Sequence, residues 1–313
     1  MERSPVPPVV LVPGGTGFIG RHVVAALRQR GCRVVVGSSA PLRHRPRHAA
    51  DDWRELHVER LQDVADWLPL LDGCDAAVNC VGILRPRGRE TYDRVHHAAP
   101  AALAGACATR GLRLVHVSAL GLDAPVRSDF LRSKRAGEQA LRDSGADWHI
   151  VRPSLLDGEG GFGARWIRRV ACWPLQPLPR GAIGRLAVLD VRYLGEAIAN
   201  LVLDPAPARR EHELGGPHAR TLAQHFDALR ALHALPPALR VRVPGIATRL
   251  LAHACDLLHA TPLSFGHWEL LQRDNAPRIN HLPELLGRAP RAVGIEPAHA
   301  HAPTIAPAHG RPA

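Results

Sequence analysis

The sequence predicts an α/β protein: a doubly wound parallel sheet followed by a small, mostly helical C-terminal subdomain. Short apolar or β-branched runs alternate with helical patterns through the first half, a glycine-rich turn joins the first of these runs to the first helical pattern, and the composition changes sharply after Pro153. With 313 residues and 46% hydrophobic content, the chain is long enough for one large α/β domain carrying an appendage.

The elements follow in order. Residues 9–12 form a buried apolar strand. Residues 20–30 read as a helix with Ile19, Val23, Val24 and Leu27 on one face, stopped by Gly31. Strands are expected at 33–36, 53–58, 75–80, 112–118 and 148–152. Helices are expected at 64–71, 92–111 and 129–144. Residues 157–185, rich in Gly, Pro and Arg, read as a loop-rich segment of the kind that contributes to a substrate pocket. A strand at 186–191 and a helix at 194–203 then return to the core. Helical patterns broken by Pro continue from 213 to about residue 290. Among them, Ile246, Leu250, Leu251, Ala254, Leu257 and Leu258 share one helical face, expected as core, with peripheral membrane contact as the alternative. The expected organisation is a dinucleotide-binding core at 6–156, a C-terminal or substrate subdomain at 157–185 and 205–296, a return to the core at 186–204, and a low-complexity, disordered tail at 297–313.

The net charge of +11 raises the question of a nucleic-acid partner. Only Lys134 among the forty basic residues is a lysine, the arginines are dispersed, and aromatic residues make up only 4% of the chain. That pattern indicates a bias toward arginine and offers no interleaved base-stacking surface, so no nucleic-acid partner is expected. The six cysteines (Cys32, Cys74, Cys80, Cys107, Cys172 and Cys255) form no CxxC pair and read as reduced cytosolic thiols without zinc or disulfides. No apolar run reaches the roughly 18–20 residues of a membrane span, and the start of the chain reads as a strand rather than a signal peptide. The expected location is the cytoplasm. His299, His301 and His309 in the tail have no rigid scaffold, and no metal site is expected.

Chemistry concentrates at the carboxyl ends of the predicted strands. The turn Gly14-Gly15-Thr16-Gly17-Phe18-Ile19-Gly20 lies between a strand and a helix. Gly14 permits the tight turn, Gly17 lets the backbone approach a pyrophosphate, and Gly20 lets the helix pack on the strand, with the helix N-terminus aimed at the phosphates. This is a Rossmann dinucleotide site. An NAD-preferring fold carries an acid about 20 residues beyond this loop to hold the ribose 2′-hydroxyl. No acidic residue occurs between Arg21 and Ala50, and the second strand runs instead into Ser38, Ser39, Arg43, Arg45 and Arg47. NADP(H) is therefore the preferred cofactor, from Ser38 and Arg43, with NAD(H) the alternative. A solvated arginine loop would also fit this composition.

Ser118 closes the fifth strand, and Phe130 and Lys134 lie four apart on one helical face. With the stretches VPGGTGFIGRHVV, NCVGIL, VHVSALG, FLRSKRAGEQAL, VRPSLLDGEGG, HELGGP and WELLQRDN, from near residue 9 to about 275, the chain resembles the extended, atypical branch of the short-chain dehydrogenase/reductase superfamily, the NAD-dependent epimerase/dehydratase-like proteins. Within it, the resemblance is greatest to the NADPH-binding accessory subunit of mitochondrial respiratory complex I and its bacterial relatives. The resemblance implies a Ser and a Tyr-x-x-x-Lys pair as catalytic groups, the Lys holding the nicotinamide ribose and the Tyr passing a proton. These positions are Ser118, Lys134 and, in place of the Tyr, Phe130, which has no proton to give. Lys134, the lone lysine, is expected to hold the cofactor, since a guanidinium does not replace a compact ammonium there. The resemblance also places Asn79, Val81 and Gly82 against the cofactor ribose and Pro153 and Ser154 beside the nicotinamide. Asp157 is expected as a loop cap, with a replacement acid as the alternative. Arg60 stands where relatives carry an adenine-contacting Asp. His96 and His97 lie toward the site, read first as structural histidines and second as proton donors.

Two functions remain open on the sequence. One is a cofactor-binding protein with a structural or assembly role, linked to respiratory or quinone metabolism and peripheral to the inner membrane. The other is an active NAD(P)-dependent oxidoreductase or epimerase on an unknown small-molecule substrate, with another proton donor.

Overall fold

The computed structural model describes residues 6–48, 50–206, 209–258 and 264–294. The tail expected to be disordered, with its three histidines, lies outside these residues. The strands are β1 (Val9–Pro13), β2 (Arg33–Ser38), β3 (Asp52–Glu55), β4 (Ala76–Asn79), β5 (Arg113–Val117), β6 (Asp147–Pro153), β7 (Leu175–Pro179), β8 (Arg210–Leu214) and β9 (Leu239–Val243). The principal helices are α1 (Phe18–Gln29), α2 (Ala99–Arg110), α3 (Asp129–Asp143), α4 (Phe162–Cys172), α5 (Val191–Leu203), α6 (Leu222–Leu232), α7 (Gly245–Leu258), α8 (Phe265–Leu271) and α9 (Leu282–Leu286).

The central sheet has seven strands in the order β8-β6-β5-β4-β1-β2-β3, every neighbouring pair parallel. The order reverses beside β1, which creates the crevice at the strands' carboxyl ends where such sheets bind ligands. One face carries α1, α5 and α9 over Val10, Val12, Val34, Val36, Val115 and Val151. The other carries α2 over Leu11, Val35, Leu114 and Ile150, with Trp67 and Trp148 in the same cluster. Gly195 brings α5 against α1, where a Cβ would meet the His22 carbonyl at 2.6 Å.

The predicted strands and helices of the first half are present, with local changes that have physical causes. The third strand ends at Glu55, and residues 58–60 turn into a 3-10 helix. The helix expected at 64–71 breaks at Pro69 into one α turn and one 3-10 turn. The helix expected at 92–111 opens with a π turn over residues 94–98, because Pro100 has no N–H to donate to the His96 carbonyl.

Three expectations for the second half change. Arg210–Leu214 was expected in the smaller subdomain, yet it pairs in register with β6 and forms the seventh strand of the main sheet. The apolar face of α7, expected as core, points outward: Ile246, Leu250, Leu251 and Ala254 are exposed, while Thr248, Ala252 and Cys255 are buried. The helix packs through its small residues, which leaves the large ones outside; the side chains of Leu257 and Leu258 lie outside the described set. The strand expected at 186–191 is two short ladders, at Arg185–Leu186 and Leu189–Asp190, before Asp190 caps α5. β7 and β9 pair in parallel as a separate ribbon packed near α4 and α6 around Leu178, Phe226 and Leu229. The six cysteines are unpaired.

Candidate functional site: a dinucleotide crevice

The glycine turn closes on itself and on the neighbouring strand ends. Gly15 N–H donates to the Val12 carbonyl at 3.0 Å, and Gly17 N–H donates to the Gly14 carbonyl at 2.9 Å. Gly14 has φ +74°, and a Cβ there would lie 3.0 Å from the Cys80 carbonyl carbon. A Cβ on Gly20 would overlap the Gly14 carbonyl oxygen. No side chain caps the N-terminus of α1 at Gly17, and no acid lies in its first turn. The cradle therefore fits a pyrophosphate, with Gly17, Phe18, Ile19 and Gly20 at the positive end of the helix and Gly15 and Thr16 in the turn before it. The loop at 158–161 lies over this end: Gly161 abuts the Phe18 ring, and Arg21 donates to the Glu159 carbonyl.

Beyond β2, the buried Ser38 is hydrogen-bonded to His44 Nδ1 at 2.7 Å and accepts from Ala40 N–H at 3.2 Å. This ties down the start of the helical turn Pro41–His44, which carries the exposed Arg43. A cavity of about 260 Å³ opens beside the glycine turn, lined by Gly15, Arg21, Val24, Ala25, Arg28 and His48. Burial, followed by the nearby His44 and Arg21 charges, holds His48 below its ordinary pKa. Arg21 and His48 escaped the sequence reasoning, because Arg21 belongs to the first turn of α1 and meets His48 only through the fold.

The turn after β4 is braced from within. Asn79 Oδ1 accepts from Val81 N–H at 3.1 Å, and its Nδ2 lies 3.1 Å from His116 Nδ1. Burial pushes His116 down to about 4, so it is neutral and accepts from Asn79. Asn79 thus shapes the turn that presents Val81 and Gly82 to the crevice. His96 Nε2 accepts from Ile83 N–H at 3.1 Å, which leaves its proton on Nδ1, 3.1 Å from Ser133 Oγ. Burial holds its pKa well below the ordinary value, with the Lys134 charge adding to the effect. His96 is therefore a neutral clamp between this turn and α3. His97 instead pairs with Asp93 at 2.8 Å.

Ser118 follows β5, Lys134 lies in the second turn of α3, and both stand near Glu138. The buried Ser118 Oγ lies near the Glu138 carboxylate but meets no partner in hydrogen-bonding geometry. Burial pushes Lys134 down to about 8, against the opposing pull of Glu138, and among the described residues no carboxylate forms an ion pair with it. Its Nζ stands 5.8 Å from the centroid of the Phe130 ring. Phe130 sits among rings, with centroids 5.8 Å from Tyr92, 5.4 Å from His96 and 5.6 Å from His267. Tyr92 donates its hydroxyl to the Leu84 carbonyl at 2.9 Å, and burial raises its pKa to about 12.

Beneath this pair is an ionic network that sequence reasoning did not anticipate. Arg152 meets Glu138 through two hydrogen bonds, at 2.9 and 2.5 Å, with Asp123 and Glu211 around it. Burial pushes the Glu138 carboxyl up, but the Arg152 hydrogen bonds overcome it and leave it below the ordinary range. The signal was available in part: Glu138 stands four residues after Lys134, one helical turn on. Pro153 follows at the crevice edge. The Ser154 hydroxyl donates to the Asn275 carbonyl at 2.5 Å and so fastens the C-terminal segment. Asp157 accepts from Arg168 at 2.6 Å, and Arg60 is exposed at 3.6 Å from Glu59.

A parallel seven-stranded sheet with a glycine cradle at its switch point defines a dinucleotide-binding Rossmann protein. An NAD(P)H-binding family model matches residues 14–173. Ceramide reductase of Caulobacter vibrioides is 30% identical over 89% of this chain and 90% of its own length. The 40 kDa subunit of NADH-ubiquinone oxidoreductase from Neurospora crassa is 27% identical over 67% of this chain, which spans 56% of that subunit's length. The chain belongs to the NAD(P)H-binding family, with ceramide reductase and complex I subunits among its relatives. UDP-glucuronic acid 4-epimerase from Bacillus cereus has the same fold, with a TM-score of 0.64 at 14% identity over 91% of this chain and 95% of that one.

Proposed function

We propose that the protein is an NADP(H)-dependent reductase acting on the carbonyl group of a long-chain lipid. The observation that carries this reading is the match along nearly the whole of both chains to a protein named as a reductase of a lipid, ceramide. The NADP(H) preference is supported by the acid-free stretch after Arg21, which carries Ser38 and Arg43, and by Arg21 and His48 lining the cavity beside the glycine turn. The Gly14 to Gly20 turn would hold the pyrophosphate, Asn79, Val81 and Gly82 would border the ribose, and Lys134 would hold the nicotinamide ribose hydroxyls. Pro153 would wall the nicotinamide side. When bound, the dinucleotide would supply hydride to the carbonyl carbon. Ser118, whose hydroxyl is uncommitted, orients the carbonyl oxygen, and Lys134, protonated at neutral pH, steadies the charge that develops there. Phe130 cannot deliver the proton, so the oxygen takes it from water in the crevice. The protein acts in the cytoplasm.

The test is NADPH oxidation, followed at the reduced-nicotinamide absorbance, with long-chain keto lipids in mixed micelles. Turnover is expected with NADPH, and replacing Lys134 by Met should weaken NADPH binding by about tenfold or more. A second reading, a cofactor-binding protein with a structural role at a respiratory complex, is favoured by Phe130 in place of a proton donor. Tight NADPH binding with no oxidation by any lipid, quinone or nucleotide sugar would select it.

A further inference from the structure

We infer that the outer face built by the β7–β9 ribbon and α7 docks on an anionic lipid bilayer. Along the ribbon, side chains alternate. Gln176 and Leu178 are buried, and the opposite face carries Leu175, Leu239 and Val241, exposed to 50%, 71% and 45%. Trp173, two residues ahead of Leu175, is also exposed. At the far end of the ribbon, Arg180 N–H donates to the Val243 carbonyl, and Pro244 leads directly into α7. There Ile246, Leu250 and Leu251 are exposed to 78%, 65% and 53%. Scattered exposed apolar residues need no explanation, but consecutive elements that both turn large apolar side chains outward mark an interaction surface.

The charge pattern identifies the partner. The ribbon and α7 contain one acidic residue, Asp256, which pairs with the buried Arg85, and Asp227 of α6 pairs with Arg240; exposed on or beside these elements are Arg169, Arg180, Arg242 and Arg249. None of these four has a carboxylate partner among the described residues; Arg249 lies over the Phe265 ring at 5.6 Å. Apolar side chains at the level of the acyl boundary with guanidinium groups around them are complementary to acidic headgroups over hydrocarbon. No helix among the described residues is long and apolar enough to cross a membrane, so the attachment is peripheral. This docking does not require the reductase reading; if both hold, it brings the crevice to an insoluble substrate.

The test is flotation of the full chain with vesicles of phosphatidylcholine alone or mixed with phosphatidylglycerol. The expected result is binding to the anionic vesicles, released by salt, with little binding to phosphatidylcholine. Replacing Leu250 and Leu251 by Asp together should lower the bound fraction tenfold or more, and Arg249→Ala about fivefold. NADPH binding, measured by fluorescence, should be unchanged in each variant, which separates lost docking from lost folding. Absence of wild-type flotation with anionic vesicles, or flotation unaffected by the double variant, overturns the proposal. So does a wild-type dimer that the double variant converts to a monomer, since the face would then be covered by a second copy. Failure of every lipid to oxidise NADPH, with flotation intact, would sink the reductase reading alone.

Discussion

Helices α1 and α7 carry comparable apolar patterns and use them in opposite ways. In α1, Val23, Val24 and Leu27 face the sheet and are fully buried or nearly so, while Arg28 on the other side makes an ion pair with Asp51. In α7, the large apolar residues face outward, and Thr248, Ala252 and Cys255 make the inward contact. Periodicity reports that a helix has two different faces; it does not report what each face meets. What separates the two is the second face. That of α1 is charged and belongs in water, whereas that of α7 is made of small residues at spacings of four and three, able to approach a neighbour closely. A helix with a large apolar face and a small one has no obvious side for water.

The largest expected effects lie in the cofactor half. Glu138→Ala takes from the Arg152 guanidinium its one fully buried partner and leaves it the more exposed Asp123 and Glu211, so the cost should reach about 3 kcal/mol, the low end for breaking a buried pair. In the same urea denaturation experiment, Leu27→Ala should cost about 2–5 kcal/mol through its cavity, whereas Leu250→Ala should stay within about 0.5 kcal/mol. Equal losses at Leu27 and Leu250 would break the comparison between the two helices, because they would mean that the outer face of α7 is covered.

Acid provides an intermediate test. His116, which braces Asn79, and His149 and His212, adjacent on β6 and β8 with rings 3.0 Å apart at their nearest nitrogens, are each pushed by burial down to about 4. A histidine held below its unfolded value near 6.5 keeps its full contribution to stability above that value. It loses that contribution as the pH falls toward 4, since the unfolded chain takes up protons first. The melting temperature should therefore fall steadily between pH 6.5 and 4.5, and His149→Phe should flatten the slope. A melting temperature independent of pH across that interval would mean that these rings are not neutral and buried together.

How much of this was legible in the residues differs between the halves for the same reason. The glycine turn, the parallel sheet and the shared helical face of Phe130 and Lys134 follow from local signals: a strand, a tight turn and a helix in sequence, strands spaced by helices, and a four-residue spacing. Pro69 and Pro100 altered helices whose existence the pattern had predicted correctly. Arg152 with Glu138, and Arg21 with His48, escaped because each pair joins distant segments whose charges look solvated one at a time. The strand Arg210–Leu214 escaped because REHEL offers a single leucine; its burial comes from pairing on β6 rather than from its own hydrophobicity. The outward face of α7 escaped because large apolar residues at helical spacing are assigned by default to the core.

The smallest expected effect asks whether the two arginine-rich regions answer to different phosphates. Arg43 is exposed, and its attraction for a nucleotide phosphate is screened over about 8 Å at physiological salt. An exposed charge pair is worth at most about 1 kcal/mol, so Arg43→Ala should weaken NADPH binding by about twofold to fivefold, leave NADH binding unchanged, and do so less at high salt. The same variant should float with anionic vesicles as the wild type does. Arg249→Ala should behave in the reverse way, losing flotation and keeping the NADPH to NADH ratio. Titration calorimetry with both nucleotides, set beside flotation of both variants, reads the four quantities. A single variant that moved both nucleotide preference and vesicle binding would join the two regions into one basic surface, and the separation between a cofactor half and a docking half would not survive it.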